Sequence, residues 1–313
     1  MKTPFTIAVS ARSLFDMEAS NTIFREQGLA AFLQHLIESE DIAFEPGPAF
    51  PLVRALTRLN DRYEKPVVEI IIVSSIQPEA GMRVITSCKH HGLEIKRASF
   101  VGGADIVPYI QANDVNLFIT RSEVDAHKAM SHGIAAALMY DAPAHPLSDE
   151  GDQIRVVFDG DAVLFDDSSE RIYKTKGLDD FLEHEAENIN EPLPKGPFAA
   201  FFMFIMTLQK QAPVGRKPFY VILVTARNAM DPATRVMRTF KSWESSVDET
   251  HFLNGVKKAR IVHAARPHIF LDDQDVHVEP ASKLVPAARV PWLGELMEGN
   301  NATASTEPVK AVA

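Results

Sequence analysis

A chain of 313 residues that is 46% apolar and 24% charged has the balance of a globular protein, which excludes disordered, collagen-like and fibre architectures for its bulk and allows two medium domains or one large one. Its 32 Lys and Arg against 42 Asp and Glu leave a net charge of −10 with no compensating basic run, which excludes a nucleic-acid polymer as partner. The single thiol, Cys88, supports neither a disulfide framework nor a cysteine zinc site and points to a reducing compartment, the cytoplasm.

From the N-terminus, Met1 to Ser10 hold no apolar stretch of signal-peptide length, and Thr6-Ile-Ala-Val9 is a short apolar run expected as a strand. Helical patterns follow at Thr22–Glu38 and Pro48–Asn60, the second opening with Pro after Gly47. Val67–Val73 is the next strand, Glu79–His91 the next helix and Val115–Ile119 the next strand. A Pro- and Ala-containing polar stretch, Ala142 to Gln153, marks a boundary. Beyond it, strands Arg155–Phe158, Phe219–Val224 and His268–Leu271 alternate with helices Pro197–Gln211 and Pro232–Trp243. The longest apolar run, Phe198–Met206, is about half a bilayer span, so it reads as a buried helix and no membrane partner is expected. From Gly299 the chain turns too polar to bury anything, and 299–313 reads as a disordered tail. Strands without alternation are those of a parallel sheet covered on both faces, so the pattern predicts α/β, doubly wound, mostly parallel Rossmann-like sheets.

The pattern also repeats. Gly47-Pro48 and Gly196-Pro197 stand 149 residues apart, as do Ser10 and Asp159. Arg83, Val84, Lys89, Phe100, Gly103 and Phe118 recur 152 residues later as Arg235, Val236, Lys241, Phe252, Gly255 and Phe270. Between 83–120 and 235–272 there are seven identities in 38 gapless positions, with strands and helices in step. Two α/β halves follow, 1–150 and 151–298, either duplicated or alike because the architecture repeats itself.

The second half carries the candidate chemistry. Asp159-Gly160-Asp161 closes a parallel strand, where α/β sheets bind ligands, and one carboxylate can attack while the other handles a proton. A solvated turn has the same residues. Thr225 ends the next strand and can hold an oxygen of a transferring phosphoryl group, or simply cap a helix. Lys257-Lys258 offers a cation there or a solvated face, and Asp272-Asp273 at a further strand end offers hard oxygen ligands of the kind Mg²⁺ takes, or a turn. No Gly-x-Ser-x-Gly elbow, Walker loop or His-Glu-x-x-His is present. Phe201 or Phe204 would border a base if their helix belongs to a cap, though aromatics at helical spacing are more often core.

Taken in order, Asp159-x-Asp161, Thr225, Lys258 and Asp272-Asp273 resemble the four motifs of the haloacid-dehalogenase-like superfamily. A closer resemblance is to the cytosolic type I 5′-nucleotidase family. It is carried by Thr6-Ile-Ala-Val-Ser-Ala-Arg-Ser-Leu-Phe-Asp-Met17, Glu45-Pro-Gly-Pro-Ala-Phe-Pro51, Phe158-Asp-Gly-Asp-Ala-Val-Leu-Phe165, Leu223-Val-Thr-Ala-Arg-Asn228 and Arg266-Pro-His-Ile-Phe-Leu-Asp-Asp-Gln274. It runs from about residue 5 to about residue 290 and departs at Gly255-Val-Lys-Lys-Ala259, which lacks the family's Pro and second Gly. Register favours Lys258 as the family's lysine, with Lys257 the alternative.

The resemblance implies a haloacid-dehalogenase-like catalytic half with a small cap insert near 166–214, and hydrolysis of nucleoside 5′-monophosphates. Asp159 is then the nucleophile and Asp161 the general acid and base. Thr225, Ala226, Arg227 and Lys258 are expected on the substrate, and Asp159, Asp161, Asp273 and Asp272 on Mg²⁺. In the first half Ser10, Arg12, Ile106 and Thr120-Arg121 stand where Asp159, Asp161, Lys258 and Asp272-Asp273 do, so it cannot run the same reaction. It is expected to be a degenerate copy, either structural or contacting a substrate or nucleotide effector through Ser10, Arg12 and Arg121. A homo-oligomer is compatible with this reading. Rival readings are a phosphatase or phosphotransferase for another small phosphomonoester, and a nucleotide sensor without turnover.

Overall fold

Runs such as Ile7-Ala-Val9, Val156-Val-Phe158 and Val221-Ile-Leu-Val224 are apolar on both faces, so they become strands only where helices cover both sides. In the computed structural model, which describes residues 3–141, 143, 153–213 and 215–291, every residue of those runs is fully buried. Among the described residues ten strands form: β1 (Phe5–Val9), β2 (Val68–Ser74), β3 (Arg97–Phe100), β4 (Leu117–Thr120), β5 (Ala135–Met139), β6 (Ile154–Phe158), β7 (Phe219–Thr225), β8 (Glu249–Phe252), β9 (Ile269–Asp272) and β10 (Ala287–Arg289). They build one sheet in the order β3-β2-β1-β4-β5-β10-β9-β6-β7-β8, with helices interleaved along the chain. Every neighbouring pair is parallel except β5 with β10. This is a mostly parallel, Rossmann-like α/β architecture. Among the described residues no helix is long and apolar enough to cross a membrane.

The sheet is one continuous unit, with its strand order mirrored about β5 and β10: outward from the junction run β5-β4-β1-β2-β3 and β10-β9-β6-β7-β8. Backbone hydrogen bonds repeat with it. Ser10 N donates to Ile119 O at 2.9 Å and Asp159 N to Leu271 O at 2.8 Å; Gly103 N donates to Ser75 O at 2.7 Å and Gly255 N to Ala226 O at 3.0 Å. The glycines of the two Gly-Pro pairs sit where a side chain has no room. A Cβ on Gly47 would lie 2.8 Å from Phe15 backbone atoms, and one on Gly196 would lie 2.2 Å from Phe165 O. Each half also carries a helix broken by a glycine of positive φ, Gly28 at 83° and Gly177 at 95°. In the second half the break separates Ser168–Lys176 from Leu178–Glu187.

The repeat fails in one turn. Phe15 N reaches Ala11 O, whereas Phe165 N reaches back five residues to Gly160 O. Ala49 N and Phe198 N bond to Ser13 O and Val163 O, so the offset of 149 has become 150 on the strand side of that contact. One extra residue is therefore lodged in the turn Gly160–Leu164, where Asp161 is extended and Ala162 left-handed. Such widened turns concentrate at functional sites. Arg12 accordingly has no strict counterpart in Asp161.

The helix Ala199–Gln211 packs Phe201 and Phe204 against Phe5, with centroid distances of 5.7 and 4.6 Å, and Phe201 against Phe158. Both aromatics are core residues. Most of the stretch 142–153, and the whole of 299–313, lie outside the described residues.

Candidate active site

β9, β6 and β7 are neighbours running in one direction, so whatever follows their carboxyl ends is brought together. Asp159 follows β6, Thr225 closes β7, Asp272 closes β9 and Asp273 follows it. Lys258 leads into the helix Ala259–Ala265 and is buried, while Lys257 is exposed. Lys258 Nζ lies 2.8 Å from Asp159 Oδ1 and 2.7 Å from Asp272 Oδ2. Asp159 Oδ1 also accepts from Gly160 N at 2.6 Å, and Asp272 Oδ1 accepts from Gln274 N at 2.9 Å. Thr225 Oγ1 lines the same turn, 3.3 Å from where a Cβ of Gly160 would stand.

The charges do not balance within this cluster. One ammonium faces three carboxylates; a fourth, Glu170, approaches through its hydrogen bond from Gln274 Nε2 at 2.8 Å but is itself ion-paired with Lys174 at 2.9 Å. Burial, followed by Glu170, Asp159 and Asp272, drives the Asp273 carboxyl well above the usual carboxylate range against the pull of Lys258. Burial also raises Asp159, while the facing carboxylates raise Lys258 despite its own burial. Carboxylate oxygens of Asp159, Asp272 and Asp273 lie within 4.8 Å of one another, and Asp273 Oδ1 is buried without a hydrogen-bond partner. A hard divalent cation fits this oxygen set, since it would compensate the surplus negative charge and occupy the unused acceptor.

Asp161 is absent from that group of carboxylates. Its two oxygens are gripped by Arg227, from Nη2 at 2.7 Å and from Nε at 2.8 Å. Arg227 is 4% exposed and its Nη1 donates to Glu185. Burial opposes the guanidinium's charge, but Asp161 and Glu185 outweigh it and raise its pKa. Glu185, wholly buried, also accepts from Arg235 Nη1 and from Ser169 Oγ, each at 2.8 Å. Arg227 thus faces two carboxylates, whereas its neighbour Ala226 is exposed.

No motif indicated Glu185 or Ser169, and Arg235 stood out only as the repeat of Arg83. The available signal was weak: Glu185 stands four residues after Phe181, on the buried face of an otherwise acidic helix.

Ser10 and Arg12 sit at the end of β1, five strand positions from β6. There Ser10 Oγ pairs with Ser13 Oγ at 2.9 Å, and Arg12 and Arg121 converge on Glu18 at 2.8 and 3.7 Å. A cavity of about 1240 Å³ opens at the amino ends of β6, β7 and β9, beside Gln153, Pro218 and His268, and contains none of the acidic cluster.

The sequence profile of the 5′-nucleotidase family matches residues 1–295. Over 293 residues the chain is 36% identical to human cytosolic 5′-nucleotidase 1B, an alignment covering 90% of this chain and 48% of that protein. The chain therefore spans about half the length of the curated relative it matches. No solved structure gives a significant match. A profile match across nearly the whole length, joined by this identity, establishes that the chain belongs to the 5′-nucleotidase family.

Proposed function

We propose that this chain is a cytosolic, Mg²⁺-dependent 5′-nucleotidase that hydrolyses nucleoside 5′-monophosphates of the AMP type through an aspartyl-phosphate. The observation carrying this reading is the Lys258 bridge between Asp159 and Asp272, beside the unpartnered oxygen of Asp273. Family membership supports the substrate class.

Asp159 Oδ attacks phosphorus in line as the bond from phosphorus to O5′ breaks. Asp161, carrying a proton on an oxygen lone pair that the two Arg227 hydrogen bonds leave free, gives it to the departing O5′, releasing the nucleoside, and then takes a proton from the water that attacks the aspartyl-phosphate. That second displacement restores Asp159 and releases inorganic phosphate. Thr225 and Lys258 hold the phosphoryl oxygens, so charge that spreads during transfer meets donors already in place. Asp159, the Asp161 carbonyl and Asp273, with Asp272 close by, would hold Mg²⁺, which lets an anionic nucleophile approach an anionic phosphate.

The chain divides in this reading into a catalytic half, 151–298, and a degenerate half, 1–150. The mirrored strand order and repeated backbone bonds support a common plan, and the replacement of the acids by Ser10, Thr120 and Arg121 supports loss of chemistry. A nucleotide effector reaching Arg12 and Arg121 would have to displace Glu18 from both and Asp141 from Arg121.

The test is phosphate release from AMP. It should stop in EDTA, return with Mg²⁺, and be abolished in a folded Asp159→Asn variant. Substantial turnover by that variant would remove Asp159 as nucleophile.

A further inference from the structure

We infer that Glu185 is a positioning residue for proton transfer, holding Arg227 so that Arg227 presents Asp161 to the leaving oxygen. The inference rests on the reading of Asp161 as proton donor. Asp161 lies in the widened turn, where the backbone has lost its helical geometry and does not fix the side chain by itself. Its orientation comes from the two-pronged contact with Arg227, and a planar guanidinium gripped along one edge transmits its own orientation to the carboxylate. Arg227 in turn is fixed at its remaining nitrogen by Glu185, with Phe181 5.4 Å away under the guanidinium. Glu185 is the hub: it belongs to the second helix of the broken pair, bonds Ser169 on the first, and bonds Arg235 on Asp231–Ser242.

The other half of the molecule serves as an internal control. Ser20 and Arg83 occupy the positions of Ser169 and Arg235. Arg83 Nε donates to Ile42 O at 2.8 Å as Arg235 Nε donates to Glu191 O at 3.0 Å, so this contact between arginine and main chain belongs to the shared architecture. Where the second half has Glu185 and Arg227, however, the first has Leu36 and Ile76. Leu36 is buried, and the same backbone turn forms at Ile76, which accepts from Gly102 N as Arg227 O accepts from Asn254 N. The fold is thus achieved without the ion pair. The pair occurs only in the half that holds the acidic cluster, and it leads to one member of that site.

The experiment compares a poor leaving group with a good one. A nucleoside alkoxide needs a proton as it departs, whereas p-nitrophenolate departs without help. Glu185→Gln should lower kcat/KM for AMP by about 100-fold, within the range general acid catalysis supplies, while changing that for p-nitrophenyl phosphate less than about threefold. Asp161→Asn should show the same split, larger. The double variant Glu185→Leu/Arg227→Ile, which copies the first half, guards against misfolding and should keep a cooperative melt while showing the split. Equal losses on both substrates in Glu185→Gln, or none on AMP, overturn the inference. If Asp161→Asn splits the substrates and Glu185→Gln does not, only Glu185 is removed; if Asp161→Asn fails to split them, the proton-donor reading falls and this inference with it.

Discussion

Lys258 reaches Asp159 across 2.8 Å inside a site where neither residue is more than slightly exposed. The same ammonium contacts Asp272, so removing it strands two buried carboxylates. Lys258→Ala is expected to destabilise the metal-free protein by ~3–5 kcal/mol, the usual cost of breaking a buried pair from one side. It should also abolish phosphate release. Chemical denaturation in EDTA reads the first effect; unchanged stability would show that the pair is solvated.

Asp273 illustrates the opposite sign. Its carboxylate is buried among like charges, so Asp273→Asn should stabilise the metal-free protein while weakening the gain that added Mg²⁺ gives. Thermal melts with and without Mg²⁺ measure both. A variant that keeps the full Mg²⁺-dependent shift would exclude Asp273 as a ligand.

Arg12 tests the first half. Arg12→Ala should leave AMP hydrolysis within about twofold, as expected of a residue outside the acidic cluster, and should abolish any response to added nucleoside di- or triphosphate. Rates measured with and without the effector decide. A large fall in the basal rate would bring Arg12 into the catalytic site.

Gly196→Ala forces a methyl group to 2.2 Å from Phe165 O, beside the turn that carries Asp161. Relief requires backbone movement, so a loss of ~3 kcal/mol and reduced turnover are expected together. Gly28→Ala meets no neighbour within 4 Å, but its φ of 83° leaves it strained, so it should cost ~1 kcal/mol and spare activity. Parallel unfolding curves distinguish the two positions.

Much of this was legible in the chain because burial on both faces leaves a mark. Strands β1, β2, β4, β6, β7 and β9 fall where apolar runs stand, to within two residues. The remaining strands had no such mark. β3 and β8, Arg97-Ala-Ser-Phe100 and Glu249-Thr-His-Phe252, are edge strands with one side open to solvent, and their polar residues hide them. β5 and β10 are alanine-rich and lack the branched side chains that signal a strand. In the site, strand ends could be read because topology alone gathers them. The destination of Arg227 could not, since it depends on Glu185, one carboxylate in a helix already full of them. Nor could the sequence offset reveal the extra residue near Asp161, because one residue is lost again between Asp166 and Ser169, so that Ser10 and Ser20 stand at the same offset from Asp159 and Ser169.

The antiparallel seam has its own consequence. Pairing Met139 with Ala288 and Leu138 with Arg289 turns the halves head to head, the relation by which identical subunits meet across a twofold axis. Tyr140 bonds Asp275, and Arg289 is ion-paired with Glu123 and Asp275, so the seam is stitched beyond its short ladder. Severed there, each part would bare a small-residue margin fit to recruit a stranger. Joined, the sheet among the described residues ends in margins bearing Arg97 and Glu249, whose charges discourage fibre-like stacking.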